Sequence, residues 1–429
     1  MKSRENPYLI ILKFVKVMKR KFFMACATLV VSAAAVVDVK AYNYYSMSPL
    51  MRANLEALTR LFARSLILST ILLLYSCKVK QNTTFDCPNY GCKQIKYTEL
   101  QIEKVGLPEM VNSTVLLSEL YDNAIYFADQ QQKFIFAYMP EQDSLRKVLG
   151  YGNGPHEFEG DIDAITMNNK GLFIQCSEFV ALYKIDESGW FSLVDEYIIP
   201  RKNAKDVEIV ANPDEYTFTY DKLRCREHND TLYITAGGNS PDFNIYSPNY
   251  FASARVIKAA TLSSKPDAFI LGSIPTRIGK EAGRHCFNRI DFDIDPKNNF
   301  HILYELDDMI YACDNNFVPK FSYGYKGKDM DKSEHRAMDF ETYKKERDAE
   351  RKKAHYRKIK CVGDYTFRSY VKSISAPYDG LQIYNGTTLI ADVDVPKGLN
   401  VIGKIGDYYY SEVLGDEESM KLWIYRFKL

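Results

Sequence analysis

From residue 97 onward the chain is a succession of short apolar runs, each closed by Asp, Asn, Gly or Pro. Residues 124–128 (AIYFA) and 134–138 (FIFAY) flank the polar stretch 129–133, which is the pattern of a β-hairpin. The same grammar returns at 171–176 with 181–185, at 216–220 with 232–236, and at 300–304 with 309–313, the last entered through the turn 295–299. It ends with 408–413 and 422–427. Ile125 and Leu172 stand 47 residues apart, close to the period of a four-stranded propeller blade. No long helix recurs between the units, so the expected fold class is all-β, a propeller rather than a sandwich. Six units are expected, beginning near residues 118, 160, 206, 288, 360 and 399, the third with an irregular extension to about 283. The run 99–105 has no partner in its own unit. Pairing it with 422–427 would close the ring and remove exposed sheet edges.

Composition agrees. The chain holds 32 Tyr and 24 Phe against 2 Trp, residues that suit pleated, half-buried surfaces. A formal net charge of +1 gives no global attraction to nucleic acid or anionic membrane.

Between the first two units lies Leu149-Gly150-Tyr151-Gly152-Asn153-Gly154-Pro155-His156-Glu157-Phe158. Glycines on alternate positions allow positive φ in a sharp turn, Pro155 fixes the next φ, and Phe158 is placed to wedge between neighbouring sheets. A nucleotide-binding loop would need a helix after these glycines, which Pro155 and the following strand pattern oppose. The order of Gly150, Gly152, Gly154, Pro155, Glu157 and Phe158 resembles inter-blade connections of NHL-type and TolB-like six-bladed propellers. Over residues 97–429 the chain is similar to the six-bladed β-propeller lipoproteins common in Bacteroidales. Later units lack the glycine motif, so the resemblance leaves blade boundaries beyond residue 206 open.

The N-terminal region reads as export machinery. Arg52, Arg60 and Arg64 precede an apolar run that ends in Leu74-Tyr75-Ser76-Cys77 and switches to a polar segment from Lys78. The run is too short for a transmembrane helix, which needs about 20 apolar residues. It resembles the lipobox of bacterial lipoproteins, in which the cysteine matching Cys77 is acylated, for example with palmitate, and becomes the mature N-terminus. Upstream, a basic patch at 18–21, an apolar stretch 22–37 and Asn54-Leu55-Glu56-Ala57-Leu58-Thr59 resemble the NVEALT family of exported peptides, with Leu55 where that family has Val. Two export signals in series point to a fused or overextended frame, with Met1, Met18 and Met51 as alternative starts. The expected organisation is a signal-like segment at 1–59, a lipoprotein signal at 60–77, a tether at 78–96 and the propeller at 97–429.

Signals for chemistry are sparse. No G-x-S-x-G, H-E-x-x-H or Walker pattern occurs, and His156, His228, His285, His301, His335 and His355 form no metal-spaced pair. No cofactor or metal is expected. Asp291, Asp293 and Asp295 alternate and share a strand face, which fits either a calcium site or, as the favoured reading, a solvated strand edge. His301 reads as a core or channel residue. Cys87 and Cys92 enclose the turn Pro-Asn-Tyr-Gly and are a disulfide candidate in an oxidising compartment. Residues 330–360 contain no Gly or Pro between 331 and 354 and read as one charged helix inserted between blades. Its basic patch comprises Lys344, Lys345, Arg351, Lys352 and Lys353, and continues to Arg357, Lys358 and Lys360. That patch is either a solvated face or a contact for an acidic partner. The expected role is a lipid-anchored, outer-membrane module that binds or scaffolds an envelope protein or glycan, facing the periplasm or the exterior, without nucleic acid. The alternative is a propeller-fold hydrolase or lyase with its site at the channel mouth, since fold alone does not decide.

Overall fold

The computed structural model describes residues 87–108, 116–177, 179–200, 208–218, 223–240, 243–244, 250–275, 289–332, 352–416 and 421–429, with a few single positions between them. All belong to the unit Gln81–Leu429. Cys77, the NVEALT-like segment, Lys344 and Arg351 lie outside the described residues. Among the described residues no helix is long and apolar enough to cross a membrane.

Six antiparallel sheets follow one another along the chain. Blade 1 is Leu116–Tyr121, Ala124–Asp129, Phe134–Met139 and Ser144–Tyr151; blade 2 is Ala164–Asn168, Gly171–Cys176, Phe179–Ile185 and Phe191–Ile198. Blade 3 is Cys225–His228, Thr231–Ser240, Ile257–Thr261 and Ala268–Leu271, with Tyr216–Phe218 and Phe243–Asn244 paired to the far end of its long second strand. Blade 4 is Ile290–Ile294, Phe300–Tyr304, Ile310–Cys313 and Pro319–Tyr323; blade 5 is His355–Val362, Tyr365–Val371, Asp379–Asn385 and Thr388–Val395. Blade 6 takes Val401–Ile405, Tyr408–Ser411 and Lys421–Phe427 from the end of the chain and Glu103–Gly106 from its beginning. Glu103 pairs with Arg426 and Val105 with Ile424, so the expected closure is present, starting at residue 103 rather than 99.

The reason for six sheets in a ring is visible in the second strands. Ala124–Asp129 is buried on both faces. Its even residues, Tyr126 and Ala128, join a core with blade 2, while Ile125 and Phe127 join a core with blade 6. A strand with two apolar faces needs a sheet on each side, and a closed ring supplies that to every blade. Six apolar clusters result, one per interface between neighbours. Aliphatic and aromatic side chains share them, and fully burying one large apolar side chain contributes on the order of 1.5–3 kcal/mol.

The glycine motif works as a wedge. Ser144–Tyr151 turns back so that Glu157–Phe158 runs parallel to it, with Gly150 opposite Glu157. The Gly154 amide donates to Glu157 Oε2 at 2.8 Å. Gly152 has φ +142°, and a Cβ there would lie 2.3 Å from the same oxygen. Phe158 is buried between blades 1 and 2, edge-on to Tyr183 at 6.4 Å, and the Tyr183 hydroxyl donates to the Glu157 carbonyl.

The charged insertion is shorter than the 330–360 expected. Positions 341–342, 345–346 and 349 are helical, but His355 already begins the inner strand of blade 5. Arg357, Lys358 and Lys360 are therefore not a solvated basic run. Arg357 pairs with Asp379, Lys358 with Glu412 and Lys360 with Asp293. Lys345 and Lys352 are exposed and Lys353 is half-buried.

Candidate functional site in the channel and at the blade 4–5 cleft

The first strand of each blade lines the central channel, and charges of both signs meet there. Arg224 and Arg226 are two residues apart, as are Asp291 and Asp293. Period-2 alternation sends both pairs into the channel while Cys225 and Phe292 face the inter-blade cores. The Arg224 Nε donates to Asp291 Oδ1 at 2.7 Å and its Nη2 to Oδ2 at 3.2 Å. The Arg226 Nε donates to Asp293 Oδ1 at 2.7 Å, and its Nη1 reaches Glu119 of blade 1 at 2.6 Å and Thr166 of blade 2 at 3.4 Å. The far oxygens of the two aspartates accept backbone amides from the open edge of blade 5, Ile359 at 2.8 Å and Cys361 at 2.9 Å. Lys360 completes the set at 3.3 Å from Asp293. Three cations thus face three carboxylates, and the carboxylates also cap a sheet edge that would otherwise leave buried N–H groups unmatched.

Electrostatics favour the ionised forms of Glu119, Asp293, Arg224 and Arg226. Burial alone would raise the Glu119 carboxyl, but Arg226, Lys360 and Arg224 together hold it below the usual carboxylate range. The same contest, decided by Lys360, Arg226 and Arg224, holds Asp293 well below that range. Burial opposes the Arg226 cation, and Glu119 and Asp293 outweigh it. The Cys361 thiol is pushed far up by burial and by Asp293 beside it, so it is not a nucleophile. Asp291 and Asp293 are accordingly not a solvated strand edge, and among the described residues no group of three His, Cys, Asp or Glu side chains is arranged for a metal.

A second constellation lies between blades 4 and 5. Asp295 does not point into the channel. It closes the turn that follows its strand, accepting the Lys297 and Asn299 amides and the Asn299 side chain. Its Oδ2 also meets His301 Nε2 at 3.0 Å, and His301 Nδ1 meets the Tyr323 hydroxyl at 2.7 Å. The Tyr323 hydroxyl donates in turn to Thr366 of blade 5 at 3.3 Å. Burial would raise Asp295, yet the bonds from His301 and Asn299 hold it well down, while burial pushes the Tyr323 hydroxyl far up. His301 is thus a core residue, as expected, and it floors a cleft of about 440 Å3.

Cys87 and Cys92 are both free thiols rather than a disulfide. Cys87 packs against the blade 3–4 core, whereas Cys92 enters a strand beside blade 5, opposite Thr388. Cys87 is thus packed at one sheet interface, whereas Cys92 pairs through its backbone with another sheet and its side chain is exposed. Glu119, Thr166, Arg224 and Arg226 belong to no sequence motif. The signal that points to them is charge of opposite sign at equal i, i+2 spacing on the first strands of successive units.

No family model and no curated protein matches this chain. Among solved structures it is similar to a DUF4221-family member from Bacteroides vulgatus, with TM-score 0.53 and 10% identity over 77% of this chain and 99% of that one. A Bacteroides fragilis protein proposed to be exported aligns over 79% of this chain and 99% of its own, at TM-score 0.43 and 13% identity. Virginiamycin B lyase from Staphylococcus aureus aligns over 77% and 100%, at TM-score 0.41 and 10% identity. The first of these likenesses agrees with the fold described above and, at 10% identity, says nothing of the activity.

Proposed function

We propose that this chain is a lipid-anchored propeller of the cell envelope, tethered through Cys77, that binds or scaffolds without turning over its ligand. The observation that supports the reading is the neutralised channel. Glu119, Asp291 and Asp293 are each engaged by Arg224, Arg226 or Lys360, so none of them is poised as a general acid or base. A hydrolase or lyase at the channel would instead keep a carboxylate or histidine with a perturbed pKa open to substrate. The anchoring half is tested by growing the host with an alkyne fatty acid: the parent incorporates label and Cys77→Ala does not. A mature peptide running unmodified through Ser76-Cys77-Lys78 overturns the anchor. The binding half is tested by recovering envelope ligands from the purified protein after long incubation. Unchanged ligand mass supports binding, and cleaved product returns the chain to the enzyme class.

A further inference from the structure

The cleft between blades 4 and 5 has the size and chemistry of a ligand site. Its volume of about 440 Å3 falls in the range of small-molecule pockets, roughly 300–1,000 Å3. Its floor is made of buried groups, His301 and Thr366, and one wall is the half-buried Phe321. Its rim is three tight turns, at 295–299 on blade 4 and at 363–364 and 386–387 on blade 5. Gly363 and Gly386 have φ +59° and +56°, and no atom lies within 4 Å of where a Cβ would stand, so backbone is presented directly to the opening.

The polar groups divide into two sets. Asp295, Asn299, His301, Tyr323 and Thr366 are bonded to one another and form a rigid base. Asn299 is further held by Lys320 Nζ at 3.0 Å. By contrast, Lys297, Asp364 and Asn385 stand exposed on the rim, and among the described residues no hydrogen bond engages their side chains. The N-terminal strap braces the wall from outside. Tyr90 lies 5.6 Å from Phe321, ring to ring, and the Cys92 amide donates to the Thr387 carbonyl at 3.2 Å. A rigid base with a few uncommitted groups above it is the arrangement that holds a ligand in one orientation.

We propose that this cleft is a saccharide site, taking one sugar residue of a neutral glycan. The inference rests on the binding reading above and names its ligand class. The free rim groups mix donor and acceptor: an amide, a carboxylate and an ammonium, each short of partners and each able to meet vicinal hydroxyls. Phe321 offers an apolar surface for the C–H face of a pyranose. With Asp295 in the base and Asp364 on the rim against the single rim cation Lys297, the lining has no positive excess, which disfavours a strongly anionic ligand and suits a hydroxyl-rich neutral one.

The test uses the full-length protein in detergent and titration calorimetry with named probes: mannose, galactose, N-acetylglucosamine and their short oligomers, with an unglycosylated peptide pool as a second arm. At least one saccharide is expected to bind, and the double variant Asp364→Ala/Asn385→Ala to weaken it by about tenfold, as loss of two neutral or singly charged hydrogen bonds implies. Asp364 is an exposed turn position and Asn385 the exposed last residue of its strand, so the variant keeps the parent melting temperature; Glu141→Ala, on a turn of blade 1, leaves binding unchanged. Absence of binding across the saccharide panel, or binding indifferent to the double variant, overturns the site. Binding of peptides alone that the double variant abolishes overturns the ligand class. Saccharide that binds here but is recovered cleaved leaves the site standing and refutes the non-catalytic reading.

Discussion

Removing one carboxylate from the channel should cost far more than removing a surface ion pair. Glu119→Ala leaves Arg226 Nη1 without its 2.6 Å acceptor and Arg224 without a neighbour at 3.7 Å. Three buried cations then face two buried carboxylates. Breaking a buried pair on one side costs about 3–5 kcal/mol, because the orphaned charge keeps its desolvation penalty and loses its compensation. At roughly 2 °C per kcal/mol for a unit of this size, the melting temperature should fall by about 6–10 °C. The double variant Glu119→Leu/Arg226→Met leaves Arg224 and Lys360 against Asp291 and Asp293, again balanced, and should recover much of that loss. Acidity adds a second reading. Glu119 and Asp293 both titrate below their unfolded values, so their contribution is complete above the unfolded carboxylate range, near pH 4, and is lost as pH falls through the lower folded values. Glu119→Gln removes one of these two groups, so its stability should decline less steeply below about pH 4 than that of the parent. Calorimetric melts from pH 7 to pH 3 measure both. A Glu119→Ala variant within about a degree of the parent, or a double variant as poor as the sum of its singles, would refute the reasoning.

Gly152→Ala forces a Cβ into the Glu157 carboxylate at a φ that alanine rarely adopts, and a loss of about 1–3 kcal/mol is expected in thermal melts. Adding Glu157→Ala should return the contact portion of that loss; no recovery at all would show that the contact is not the cause. Deleting residues 422–429 removes the strand paired with both Glu103–Gly106 and Tyr408–Ser411, so the whole ring should destabilise, and a truncated chain melting with the parent contradicts closure. Changing Lys344, Lys345, Arg351, Lys352 and Lys353 to Gln should shift the melt by no more than about 0.5 kcal/mol per site. If the patch docks an acidic partner, the same variant elutes earlier from heparin across a salt gradient; equal elution returns it to a solvated face.

The repeat was legible because blade geometry is written in strands with two apolar faces. Residues 124–128 and 300–304 carry that signal in any context, and units expected near 118, 160, 288 and 399 begin at Leu116, Ala164, Ile290 and Val401. The wedge at Phe158 was legible for a similar reason, since its glycines and proline dictate local backbone. The channel was not. Asp291 and Asp293 look like any polar strand edge until Arg224 and Arg226, 67 residues earlier in sequence, are placed opposite them. Their meaning depends on ring closure, a non-local fact. The basic run at 357–360 misled for the same reason: its partners Asp379, Glu412 and Asp293 lie elsewhere in the fold. Nor does sequence reveal that the segment after Cys87 serves blades 4, 5 and 6 in turn.

That segment bears on how the ring protects itself. A propeller leaves one outer edge per blade, and an open edge is a template for unwanted pairing. Asn89 bridges to Ser322 on blade 4, Cys92–Tyr97 runs parallel to Thr388–Ala391 on blade 5, and Glu103–Gly106 is itself the outer strand of blade 6. On blade 1 the return of Glu157–Phe158 covers the end of the outer strand. Blade 2 has no such cover among the described residues. Its outer strand, Phe191–Ile198, exposes Leu193, Val194 and Ile198, the last at 70%. Two features blunt it. The register slips between Asp195 and Leu193, a bulge that twists the strand away from a straight pairing partner, and the next two residues, Asp195 and Glu196, place adjacent negative charges along the edge. A second copy pairing edge to edge would bring like charges together over a kinked backbone. The apolar side chains of blade 2 therefore stay exposed without offering a flat template, and the ring relies on geometry there, where blade 5 relies on an added strand.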